Sequence, residues 1–149
     1  MKPRKIRNVL YPPGTLHFKP VGASKQSSSV FLTIDEYEAI RLADYEKLKQ
    51  EEAAKRMNIS RPTFTRLIDS ARKKISEAIV NGKAIKIEGG SFTFLKNRSR
   101  CKKCSYVWES VKEDNLKFIC PRCGSSNIED MGKMIIRRCQ GKRWRGGSR

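Results

Sequence analysis

The sequence predicts two unlike modules in one chain: a mainly α module of short helices, then a small β module folded around cysteines. Three observations carry this expectation. Thr33 is followed three residues later by Glu36, the capping box that opens a helix. Ser60 precedes Arg61 and Pro62, after which apolar residues recur at helical spacing. Further on, Cys101-x2-Cys104 and Cys120-x2-Cys123 are separated by fifteen residues.

Residues 1–30, opening "MKPRKIRNVLYPPGTLHFKPVG", are rich in Pro, Gly and Ser and show no periodicity, so they should form a basic, mostly extended arm. The α module follows over 31–82. Its first helix runs through "LTIDEYEAIRLADYEKL" from the Thr33 cap. A second, shorter helix lies in "QEEAAKRM", with acids in its first turn where the helix dipole favours them. The third starts at the Ser60 N-cap, with Pro62 in the first turn, where proline costs no intrahelical hydrogen bond. Phe64, Leu67, Ile68, Ala71, Ile75, Ala78 and Ile79 form one apolar stripe on it, and Asn81-Gly82 should end it. Next, "AIKIEGGSFTF" alternates on both sides of Gly-Gly. It predicts a β-hairpin connector over 83–99, with Ile85 and Ile87 facing Phe94 and Phe92. Residues 100–130 make the β module, and 131–149 a basic tail.

Helices two and three, joined by "MNIS", fit the geometry of a helix-turn-helix. Ala54 is small enough for the two to cross closely. Asn58 can adopt the left-handed conformation of a sharp turn, and Ile59 and Phe64 would fill the angle between the helices.

The charge indicates the partner. Lys and Arg number 33 against 15 Asp and Glu, a formal net charge of +18. Such an excess is costly in self-repulsion unless a polyanion is the usual partner. Nucleic acid is therefore expected, with an anionic membrane surface behind it. The arm holds six basic residues and no acid, and the tail seven and none, whereas both modules are nearly balanced. The uninterrupted apolar runs ("VFL", "MII") are far below the roughly 18 residues of a membrane span. No signal peptide is apparent, and a cytoplasmic, nucleoid-associated protein is expected.

On the third helix, Pro62, Thr65, Arg66, Asp69 and Lys73 lie opposite Phe64, with Thr63 and Ser70 on one flank and Arg61 nearer the other. Arg66 can pair bidentately with a guanine edge, and Thr63 or Thr65 can meet a phosphate or a thymine methyl. Arg61, Arg72, Lys73 and Lys74 are better placed on phosphates, which position a protein without specifying sequence. Arg61, Pro62, Thr63, Thr65, Arg66, Ser70, Arg72, Lys73 and Lys74 are thus the candidate DNA-binding residues, at the end of a helix shaped to enter a major groove.

The basic "KPRKIR", "FKPVG" and the run from "LTIDEYEAIRLADYEKL" through "SRPTFTRLIDSARKK" to "IEGG" resemble a family of uncharacterised predicted DNA-binding proteins, over roughly residues 1–90. Their helix-turn-helix is similar to region four of sigma-70-type factors. The resemblance implies a helical DNA-binding domain and a role in transcription regulation. Lys49 stands where such motifs often carry a Thr cap, and Asn58 where they often carry Gly.

Cys101, Cys104, Cys120 and Cys123 have the spacing of a zinc site, and in a reducing compartment metal ligation is favoured over disulfides. Four thiolates leave zinc no open position, so one structural Zn2+ is expected, in a segment too small to fold without it. The segment resembles a zinc ribbon of the kind found in transcription proteins. Rubredoxin-type iron sites share the "CPxCG" element, with knuckles usually further apart. Trp108 and Phe118 should form the ribbon's own core, Cys139 a spare thiol, and His17 a surface residue.

The full expectation is a mainly α helix-turn-helix domain plus a small β zinc ribbon, binding duplex DNA specifically as a transcriptional regulator. The alternative is an RNA-binding or ribosome-associated zinc-ribbon protein. An enzyme is not expected, since no nucleophile–base pair is apparent.

Overall fold

The computed structural model describes residues 5–22, 28–110 and 119–141. The described residues form four α-helices and three small sheets, so the fold is mixed α/β rather than mainly α. The chain divides into two compact units, residues 1–9 with 15–93 and residues 10–14 with 94–149. No helix among the described residues is long and apolar enough to cross a membrane.

In the first unit, strand β1 (Arg7–Val9) pairs with β5 (Phe92–Phe94). Strands β2 (His17–Phe18) and β3 (Ser29–Leu32) flank β4 (Ala84–Ile87), which runs antiparallel to β2 and parallel to β3. Parallel neighbours need a long crossover. Here α1 (Ile34–Ile40), α2 (Gln50–Arg56) and α3 (Arg61–Asn81) supply it. The capping box at Thr33 and Glu36 forms as expected, and α1 continues into a π-helical turn over Arg41–Tyr45. Lys49 caps α2 without a side-chain hydrogen bond, which fits the missing Thr. Ser60 accepts from the Thr63 N–H, and Gly82 ends α3 in the left-handed conformation at φ 62°.

Between α2 and α3 the chain turns at Asn58, whose φ is 58°. The Ile59 N–H reaches back to the Ala54 carbonyl at 3.0 Å. Ala54, Met57, Ile59, Phe64, Leu67 and Ile68 are buried in one core with Ala39, Leu42 and Ala53. Burial of Phe64 against this cluster is what holds α3 across α2.

Four expectations are corrected. The hairpin does not form, because β2 and β3 occupy both edges of β4 and β5 pairs with β1. The amino-terminal arm is partly folded: its strands complete those sheets, and Val9, Pro12 and Pro13 are fully buried. Ile79 is exposed, because in the last turns of α3 it is Ala78 that faces the interior and Ile79 turns out to solvent. The carboxy-terminal tail begins as a helix, as follows.

The second unit has β6 (Asn97–Cys101) between β7 (Val107–Ser110) and β8 (Ile128–Asp130), all antiparallel. Helix α4 (Met131–Gly141) follows at once, with Met131 and Ile135 buried. The Asn97 side chain accepts from the Gly132 N–H at 3.1 Å, and Asp130 accepts from the Lys133 N–H at 2.9 Å. Near the amino terminus of this unit, Tyr11 donates to Glu109 at 2.9 Å and lies under Arg98, 4.3 Å from the ring centre.

Candidate metal centre and nucleic-acid interface

The cysteine pairs sit on two loops with the same internal hydrogen bonding. The Ser105 N–H bonds to the Cys101 carbonyl and the Gly124 N–H to the Cys120 carbonyl, both at 2.9 Å. The Cys101 N–H bonds to the Tyr106 carbonyl and the Cys120 N–H to the Ser125 carbonyl, again at 2.9 Å. Each loop needs a left-handed residue to close. Gly124 fills that place in the second loop at φ 72°, and Ser105 takes it in the first at φ 64°.

The four sulfurs lie within 4.8 Å of one another, with Cys101–Cys123 and Cys104–Cys120 at 3.6 Å. A zinc ion at the usual Zn–S length of about 2.3 Å has sulfurs about 3.8 Å apart at its tetrahedral corners. The cluster therefore fits a metal ion, and none of the five cysteines is in a disulfide. The loop amides also favour charge on the sulfurs. The Cys104 N–H, 3.5 Å from the Cys101 sulfur, is the main cause that draws this thiol down to about 6. Burial opposes ionisation of Cys120, but the N–H groups of Cys123 and Arg122 outweigh it and the thiol falls below its ordinary value. Cys123 goes the other way. Although the Ser125 N–H stabilises its charge, burial and the other three thiols push it up to about 11. For all four sulfurs to ionise at this spacing, a cation must lie among them.

Trp108 is half-buried and stacks with Tyr106, ring centres 6.0 Å apart. Phe118 lies outside the described residues. Cys139 lies on α4, away from the quartet in sequence. His17 is exposed on β2, and slight desolvation by its neighbours together with the charges of Lys19 and Lys86 lowers its pKa.

The candidate DNA-binding residues divide into two groups. Several are held by internal partners. Ser70 donates to Glu36 at 2.8 Å, and Lys74 grips both oxygens of the same carboxylate at 2.9 Å. Arg72 holds Asp44 through two bonds, at 2.7 and 3.1 Å, which raises the guanidinium pKa. Arg61 pairs with Glu51 at 3.2 Å, Thr65 bonds to Gln50 at 2.5 Å, and Thr63 shares a hydrogen bond with the Ser60 hydroxyl at 2.8 Å. Pro62, Arg66 and Lys73 are exposed, and Arg66 has no ion-pair partner among the described residues. Lys74 and Ser70, both half-buried, compensate the buried Glu36, whose carboxylate would be costly unpaired.

Helical periodicity did not reveal three buried acids on α1. Asp35 pairs with Arg7, Glu36 with Lys74, and Glu38 bidentately with Arg41 at 2.6 and 2.8 Å. One signal was available: Glu38 stands between Ile34 and Leu42 at spacings of four, so an acid sits on the apolar stripe. The amino-terminal arm also contributes more than charge. Arg7 neutralises Asp35, and the Asn8 N–H bonds at 3.0 Å to the Met57 carbonyl, at the turn between α2 and α3.

Comparison with known proteins agrees in extent with this two-part chain. A family described as "Protein of unknown function DUF134" matches residues 1–95. A UPF0251 protein of Moorella thermoacetica is 44% identical over 132 residues, 88% of this chain and 87% of its own length. One from Chloroherpeton thalassium is 47% identical over 131 residues, 87% and 86% of the two chains. One from Methanothermobacter thermautotrophicus is 42% identical over 137 residues, 92% of this chain and 71% of its own. Alignments of that length in a chain of 149 residues extend past the first unit and across the cysteine quartet. No solved structure matches the chain. With the family model covering well over half its length, the chain belongs to the DUF134 family, proteins of unknown function with relatives in bacteria and archaea.

Proposed function

We propose that this protein binds duplex DNA in a sequence-specific way through α2 and α3, a helix-turn-helix, and acts as a transcriptional regulator. The observation that carries the reading is Arg66. It stands on the outward side of α3, opposite the buried Phe64, exposed and without an acid partner among the described residues. It is two turns or less from a helix start fixed by the Ser60 cap and the left-handed Asn58. A guanidinium so placed suits the O6/N7 edge of guanine. Pro62, Thr63 and Lys73 surround it, while Ser70, Arg72 and Lys74 serve the fold. The four cysteines hold one structural Zn2+. With all four positions of the metal filled by sulfur, no place is left for a substrate, so no catalytic step is assigned.

The RNA-binding alternative has one observation in its favour, Tyr106, just before β7, stacked with Trp108 on it, since aromatic stacking suits unpaired bases. Selection of bound fragments from genomic DNA, with structured RNA as competitor, tests the reading. A shared sequence enriched among the fragments supports it. Fragments with no shared sequence, or preferential displacement by RNA, overturn it.

A further inference from the structure

We propose that α4 is a second nucleic-acid surface, a folded phosphate-binding face fixed to the cysteine ribbon. This rests on the duplex-binding reading above and adds a site to it. Lys133, Arg137 and Arg138 are exposed on α4, and the helix contains no acidic residue. None of the three has an ion-pair partner among the described residues. The neighbouring acids are already engaged: Glu129 pairs with Arg100 at 2.6 Å, and Asp130 accepts the Lys133 backbone N–H.

The face is also held in place. Met131 and Ile135 are buried, and Asn97 on β6 holds the Gly132 N–H. At about 100° per residue, Lys133 and Arg137 fall together on the side opposite Met131 and Ile135, separated by about 6 Å along the axis. Two unneutralised cations in line on a fixed helix suit a run of phosphates. An anionic bilayer is the poorer fit, because an interfacial helix inserts an exposed apolar face. Of the large apolar residues of α4, Ile136 is the one exposed.

The test uses the full-length, zinc-loaded protein and the double variant Lys133→Gln/Arg137→Gln on a random-sequence duplex. If both side chains contact phosphates, the plot of log affinity against log salt becomes shallower by about 1.8, at about 0.9 per contact. The wild-type advantage then shrinks about twelvefold between about 50 and 200 mM salt. Zinc content and preference on the selected site should stay unchanged. The charge-keeping variant Lys133→Arg/Arg137→Lys should restore the slope, and failure to restore it overturns the proposal. An unchanged slope in a wild type that binds duplex also overturns it, and leaves the α3 reading standing. In that event, loss of binding to phosphatidylserine vesicles by the double variant would assign the face to a membrane. A wild type that binds no duplex even at low salt overturns both readings.

Discussion

Helices α3 and α4 are both amphipathic and basic, yet they use their cations differently. Of the five basic residues on α3, Arg61, Arg72 and Lys74 are engaged by Glu51, Asp44 and Glu36. On α4, Lys133, Arg137 and Arg138 have no acid partner among the described residues. A cation already balanced by a carboxylate contributes little to the field an approaching polyanion meets, so the formal charge of +18 overstates what α3 offers. Both helices are held by buried apolar side chains, Phe64 on α3 and Met131 with Ile135 on α4. But α3 is pinned by ion pairs as well and keeps Arg66 and Lys73 outward, while α4 keeps all of its cations outward.

The largest effects come from removing what holds each helix. Cys120→Ser should abolish metal binding, taking zinc from one per chain to none, and unfold the ribbon beneath α4. The helical circular dichroism of the first unit should persist. A variant that retains its zinc would refute the assignment of the quartet, and Cys139→Ser should leave metal content unchanged. Phe64→Ala should do the opposite. It should cost about 3–5 kcal/mol as the cavity in the α2–α3 core opens, while zinc stays bound. Loss of zinc along with the helices would show that the two units do not fold separately.

Next in size is Arg66→Ala, expected to cost about 1–3 kcal/mol on the preferred site and to relax preference at one base pair. If it weakens every duplex equally, Arg66 is a phosphate contact and α3 differs from α4 in degree only. Truncation probes the other helix, but the cut must follow Gly141. A cut after Met134 would remove the buried Ile135 and undock α4.

What the sequence disclosed was whatever a few adjacent residues decide. The Thr33–Glu36 box, the Ser60 cap, the Gly82 stop and the cysteine spacing are each complete within a short span, and each appears in the structure. Sheet pairing was hidden because β4 takes partners from Val30 and Phe18, far away in the chain, which local alternation around Gly89-Gly90 could not foretell. The division of cations on α3 was hidden for the same reason. Lys74 and Arg72 meet acids 38 and 28 residues earlier, and no helical wheel of α3 contains them. The apolar contacts of α4 were masked by composition: Met131 and Ile135 are spaced for a helix face, but the basic run around them reads as a tail.

A smaller stabilisation is available in the first cysteine loop. Ser105 holds φ 64°, where a side chain costs roughly 1–2 kcal/mol against glycine. Ser105→Gly should recover part of that, read as slower release of zinc to a chelator, since the freer unfolded chain offsets some of the gain. No change would mean that the loop relaxes around Ser105 without strain.

The smallest effect tests the comparison most directly, because it converts a balanced cation of α3 into a free one. The Arg72 guanidinium, bonded to Asp44, holds that carboxyl below its ordinary value of 3.8, against a weaker opposing effect of burial. Both side chains are largely open to water, and exposed pairs of this kind contribute about 0.2–1 kcal/mol. A depressed carboxyl pKa gives stability that is fully present above the unfolded-state value and lost as pH falls through the folded one. Asp44→Asn should therefore lower the stability of the first unit slightly at neutral pH, and the gap to wild type should close as pH drops below about 4. A gap that persists at low pH would mean that packing, not charge, is lost. The same variant leaves Arg72 without its acid, so it should bind random duplex more tightly and with a steeper salt dependence, moving α3 toward the behaviour expected of α4. If random-duplex affinity and salt slope both stay at wild-type values, Arg72 lies outside the reach of phosphates and serves the fold alone.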